Sequence, residues 1–150
     1  MIKRLLLIVA LALLALPVAA QQPVEITSDK FVVDETTREA VFTGNVVVVH
    51  PSVKVWAEKV VAIYGAGGTT DIESFIATGS VRLVTPDQDA TGDKAVFTPG
   101  DQMLRLTGNV NVVNSGGTVA ASELVVNLET NVSTFTSTGG GRVTGVFTSQ

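Results

Sequence analysis

The chain has 150 residues, no cysteine, 5% aromatic residues and a formal net charge of −4. That length supports one domain with a packed core, and the lack of cysteine excludes a disulfide-stapled fold or a thiolate metal site. The acid excess argues against a nucleic-acid partner, because binding a phosphate backbone needs clustered Lys and Arg.

Residues 1–20 read as an export signal. Lys3-Arg4 supply a positive start, and Leu5 to Leu16 is an unbroken apolar run that Pro17 interrupts. Val18-Ala19-Ala20 offers small residues for cleavage, expected after Ala20, and the run is short for a membrane-spanning helix. The 130 residues that remain hold eight Lys and Arg against fourteen Asp and Glu, a net charge of −6. Residues 21–150 are expected to form one exported domain.

From Val24 onward β-branched residues dominate, and no stretch holds a sustained 3.6-residue apolar period. Pro51, Gly65-Ala66-Gly67-Gly68, Pro86-Asp87, Pro99-Gly100-Asp101, Ser115-Gly116-Gly117 and Gly139-Gly140-Gly141 mark turns. The expected class is all-β.

Two short motifs alternate. Thr43-Gly44-Asn45-Val46 recurs as Thr78-Gly79-Ser80-Val81 and Thr107-Gly108-Asn109-Val110, with Thr138-Gly139-Gly140 as a degenerate fourth copy. The starts lie 35, 29 and 31 residues apart, the signature of a repeated β unit. The second motif is a small residue, an acid, usually Lys, then an apolar pair. It reads Ser28-Asp29-Lys30-Phe31-Val32, Ala57-Glu58-Lys59-Val60-Val61, Gly92-Asp93-Lys94-Ala95-Val96 and Ser122-Glu123-Leu124-Val125-Val126. Each repeat is thus two strands, giving about eight strands plus an N-terminal stretch around Val24 and Ile26.

Side chains alternate across a strand, so aligning the Thr-Gly copies separates two faces. One carries Ala40, Phe42, Val46 and Val48, then Phe75, Ala77, Val81 and Leu83, then Leu104, Leu106, Val110 and Val112. All are apolar, and this face is expected inside. The other carries Val41, Thr43, Asn45 and Val47, then Ile76, Thr78, Ser80 and Arg82, then Arg105, Thr107, Asn109 and Asn111; it is mostly polar and is expected outside. The glycine centred in each inward row is expected to leave a gap there. The acid-Lys strands carry apolar residues on both faces, so the pattern does not orient them.

Catalytic and metal readings find little support. His50 is the single histidine and stands beside Pro51, where a turn position explains it. The acids Asp29, Glu58, Asp93 and Glu123 recur once per repeat, which spreads them rather than converging them. Asp87-Gln88-Asp89 lacks the ligand spacing of an EF-hand, and no Lys-Ser/Thr follows Gly65-Ala66-Gly67-Gly68 as a phosphate loop requires. No serine has a plausible base. Trp56 is expected at the rim of the apolar interior. No enzyme activity, metal or cofactor is expected.

The order Pro23-Val24-Glu25-Ile26-Thr27-Ser28-Asp29, Phe42-Thr43-Gly44-Asn45-Val46-Val47-Val48 and Ala57-Glu58-Lys59-Val60-Val61 resembles the OstA-like family of exported proteins. The likeness spans Val24 to about Phe135. It implies an open, twisted β-jellyroll of antiparallel strands, with an apolar groove between two sheets. It implies a periplasmic protein that carries lipopolysaccharide from an inner-membrane export complex to an outer-membrane translocon and joins copies of itself head to tail. The lipid's acyl chains would contact Val24, Ile26 and the twelve inward residues above. The rival is a structural or adhesive β-repeat with a filled core and no ligand; a polysaccharide-active β-helix enzyme would need convergent acids.

Overall fold

A computed structural model describes residues 24–149. The expected signal segment lies outside the described residues. Ten strands follow in order: β1 (Glu25–Thr27), β2 (Lys30–Asp34), β3 (Glu39–His50), β4 (Val53–Tyr64), β5 (Ile72–Val84), β6 (Gln88–Thr98), β7 (Met103–Asn114), β8 (Gly117–Asn127), β9 (Val132–Thr136) and β10 (Thr144–Phe147). All pairs are antiparallel, and β3 to β8 form a meander of neighbours. The sheet does not close. At one edge β1 and β2 share β3, and at the other β9 and β10 share β8.

The Thr-Gly-Asn/Ser-Val motif is a β-bulge. Three residues separate the inward Phe42 and Val46 on β3, while two separate their partners Val60 and Ala57 on β4. The same count recurs where β5 and β7 meet their neighbours. An extra residue bends its strand and breaks the local ladder. Both central residues are left-handed: φ is 82° and 47° at Gly44 and Asn45, 83° and 45° at Gly79 and Ser80, 80° and 48° at Gly108 and Asn109. Glycine and asparagine are the residues that accept that region at least cost.

The bulges line up across the sheet beside the acid-Lys motifs. Thr43 pairs with Lys30 and Lys59, Thr78 with Lys59 and Lys94, and Thr107 with Lys94 and Glu123. One bend line therefore folds the meander into two facing layers. The first holds β1, β10 and the part of each long strand beyond its bend on their side. The second holds β2, β9 and the other part. At the two edges the bend becomes a break, which is why the edge strands count as four short pieces.

This geometry corrects the expected gap in the inward rows. A Cβ built on Gly44, Gly79 or Gly108 would stand 2.9, 2.8 and 2.8 Å from the Cβ of Asp29, Glu58 and Asp93, all exposed residues on the outer surface. Positive φ turns the glycine outward, and the acid of the adjacent strand covers it. Asn45 Nδ2 then donates to Asp29 Oδ2 at 3.1 Å, and Asn109 Nδ2 to Asp93 Oδ2 at 3.2 Å. The recurring acids hold the bend from outside.

The fourth copies also shift. Glu123 pairs with Thr107 and with Thr136, so it occupies the lysine place, and Ser122 stands where the acid does elsewhere. Ser122 Oγ accepts from the Thr138 N–H at 3.2 Å, the same sixteen-residue reach as Asp29 to Asn45. By register Thr136 takes the place of Thr43, while the consecutive left-handed pair of this copy is Gly139-Gly140, at φ 67° and 80°, beyond the end of β9.

Gly108→Val tests the bend. It places a β-branched side chain at positive φ and drives it into Asp93, for an expected loss of about 2–5 kcal/mol. Gly100→Ala, with open space around the added carbon, should change stability by less than about 0.5 kcal/mol. Urea denaturation of the two variants compares them directly.

Candidate functional site: the apolar interior

The interior between the layers is built from one row of side chains on each of β3 to β8, with Ile26 of β1 and Phe135 of β9 packed against it. On β3, β5 and β7 the bulge keeps odd-even phase, and every residue expected inside is there. Ala40, Val46, Ala77, Val81, Leu83, Leu104, Leu106, Val110 and Val112 are buried. Ile26, Phe42, Val48 and Phe75 are partly buried and packed on the core, and Val24 lines its end.

The acid-Lys strands supply the other half of the wall, which the pattern did not orient. Their phase switches at the motif. On β4 the buried residues are Val53, Val55 and Ala57, then Val60, Ala62 and Tyr64. On β6 they are Ala90 and Gly92, then Ala95, with the half-buried Phe97 two residues on. On β8, Val119 precedes the switch and Leu124 follows it. Apolar residues on both nominal faces were the signal of that switch. Gly92 is the interior glycine, and Leu106 fills the space beside it, its Cγ 2.8 Å from where a Cβ would sit.

Space remains between the layers in at least two places among the described residues. A narrow one, about 40 Å³, is lined by Val48, Val53 and Val55 of the first layer and Val60, Phe75 and Phe97 of the second, with Val24 and His50 at its end. A wider one, about 430 Å³, has Leu83, Ala90, Leu104, Leu124, Val126 and Leu128 as its apolar side. Its rim is made by the turn after β3, the turn between β5 and β6, and the start of β9. Among the described residues no side-chain nitrogen or oxygen is buried without a partner.

Residues 25–132 match the family described as LptA/(LptD N-terminal domain) LPS transport protein. The chain belongs to this family. It is 30% identical over 132 residues to an uncharacterized protein of Rhizobium meliloti (strain 1021), covering 83% of this chain and 71% of that one. Its fold is similar to the crystal structure of LptH from Pseudomonas aeruginosa, described as the LptA homologous periplasmic component of the conserved lipopolysaccharide transport device. That match has a TM-score of 0.72 at 20% identity and covers 85% of this chain and 96% of LptH. The OstA-like resemblance and the open, twisted jellyroll it implies both hold.

Within this LPS-transport fold, two residues sit elsewhere than expected. Trp56 is on the outer face, since β4 is inward at Val55 and Ala57. Its ring centroid is 5.0 Å from the Lys54 ammonium and 5.1 Å from the Arg82 guanidinium. Arg82 is also hydrogen-bonded to Asp89, which holds that carboxyl below its usual range. His50 is not a free turn residue. Its ring is 6.1 Å from that of Phe97 at the narrow space, and its Nδ1 accepts from the Ser52 N–H at 3.1 Å.

Burial lowers the His50 pKa from its ordinary 6.5. A depressed value adds stability that is complete above the unfolded pKa and is lost as pH falls through the folded one. Lowering the pH from about 8 to about 5.5 should therefore reduce the urea midpoint more for the wild type than for His50→Phe. Parallel midpoints would exclude a neutral, packed His50.

Proposed function

We propose that the chain is a periplasmic conduit for lipopolysaccharide, carrying its acyl chains between the two layers and its sugars outside. The observation that carries this is the apolar lining contributed by β3 to β8, with Ile26 of β1 and Phe135 of β9 packed against it, widening to about 430 Å³ on one side, in a member of an LPS transport family. Each methylene taken from water is worth about 0.8 kcal/mol, so an acyl chain of about a dozen carbons favours the interior over water by on the order of 10 kcal/mol. At the Val24 end the layers touch and leave room for only a few water-sized groups, so a passing chain must part them there. An unclosed sheet held by an external bend line is suited to that motion.

Copies joining head to tail would make the interior continuous from an inner-membrane export complex to an outer-membrane translocon. Among the described residues both sheet edges are bare and carry exposed apolar side chains: Phe31 is 55% exposed and Phe147 is 68% exposed. Bare edges pair with another strand when one is offered.

Site-specific photocrosslinking tests the interior. Probes at Leu83 and Val126 should capture lipopolysaccharide, while probes at the outward Thr91 and Asn109 should not. Equal capture at both pairs, or capture at neither, would remove the groove from consideration.

A further inference from the structure

The rim of the wider space has a chemistry of its own. It is formed by Ser52, Thr85, Asp87, Gln88, Asn131 and Ser133, which face the space across from its apolar side. The donors that close the turns here are main-chain N–H groups: the Ser52 N–H donates to His50 Nδ1, the Gln88 N–H to Thr85 Oγ1, the Thr85 N–H to the Gln88 carbonyl, and the Asn131 N–H to the Asn127 carbonyl. The hydroxyls of Ser52 and Ser133 and the amides of Gln88 and Asn131 are thus presented as neutral groups that both donate and accept. Among the described residues no Lys, Arg or His lines the space, and the one charge there is the Asp87 carboxylate. Arg82, on the strand leading into the Thr85–Gln88 turn, is turned to the outer face and held by Asp89 at 3.0 Å through Nε.

We infer that this rim is a binding site for the uncharged, hydroxyl-rich head of an amphiphile, and that it disfavours a phosphate at the same place. The inference rests on the groove reading above and adds the chemical class of the head that crosses there. An apolar side next to neutral donors and acceptors matches an acyl chain continuing into a sugar. A phosphate would meet a like charge at Asp87 with no cation among the described lining residues to offset it. For the transported lipid, sugar hydroxyls lie against the rim and any phosphate is directed elsewhere.

The test uses two single-chain probes below their micelle-forming concentrations, dodecyl maltoside and dodecyl phosphate, titrated into the folded chain by calorimetry. The glycoside should bind the wild type at least about fivefold more tightly. Asp87→Lys, at an exposed turn position, should tighten dodecyl phosphate by about fivefold, the scale of a solvent-screened charge change, and leave the glycoside within about twofold. Equal or reversed preference in the wild type, or no response of the phosphate to Asp87→Lys, overturns the rim assignment while the groove stands. Failure of both probes to bind overturns the groove reading itself, and the rim assignment with it.

Discussion

Leu106→Ala should lower the unfolding free energy by about 3–5 kcal/mol, the upper part of the range for truncating a buried leucine. Leu106 is 1% exposed on β7, and the neighbouring β6 offers Gly92 at that point. A glycine has no side chain with which to reach into the space left behind, so little of the cavity can collapse. Against a total stability of about 5–15 kcal/mol for a domain of this kind, the loss is large. Thr91→Ala, one residue away from Gly92 on the outer face, should cost less than about 0.5 kcal/mol. Urea denaturation with a fixed slope reads both. Near-equal values would mean that the interior is already loosely packed at Leu106. The variant also separates packing from transport, because it enlarges the interior without adding charge and its lipid binding should persist in the folded fraction.

The part of the wall legible in the sequence was the part where the bulge conserves phase. Between Phe42 and Val46 the bulge leaves an odd number of residues, so a reader counting by twos stays on the correct face. Between Ala57 and Val60 two residues intervene, and the same count lands outside. Val53, Val55, Ala90, Ala95 and Leu124 were therefore invisible to a strict alternation, although apolar residues on both nominal faces marked the strands as irregular. The glycines were assigned to the wrong side because a residue at positive φ no longer follows the pleat. The Gly-Asn pair was the available clue, since both residues tolerate left-handed backbone. The fourth acid-Lys copy slipped because Ser122 takes a place held by an acid elsewhere, and only the pairing of Glu123 with Thr107 fixes it. Trp56 follows from the same phase switch. The rim of the wider space was not legible at all, since it joins turns from distant parts of the chain.

For the head-to-tail joint proposed above, deleting residues 24–28 should abolish association, and so, separately, should Gly117→Val. The deletion removes β1, whose Ile26 pairs with Val48 at one edge. Gly117 pairs with Phe147 at the other edge, at a φ of 153°, and a Cβ there would overlap the Val146 carbonyl and stand 2.9 Å from Phe147 Cα. A valine therefore displaces β10 from β8 without touching β1. If copies join head to tail by strand addition, each variant lacks one half of the joint and keeps the other. Three or four strand hydrogen bonds at about 1 kcal/mol each correspond to a loss of at least about 100-fold in association. A heterologous joint then makes a sharper demand. Mixed in equal amounts, the two variants should form a dimer through their remaining complementary edges, and that dimer should not extend, because both of its outer ends are damaged. Sedimentation velocity distinguishes the cases. Long species in either variant alone would show that the altered edge is not in the joint. A mixture that stays monomeric would show that the two edges do not meet each other.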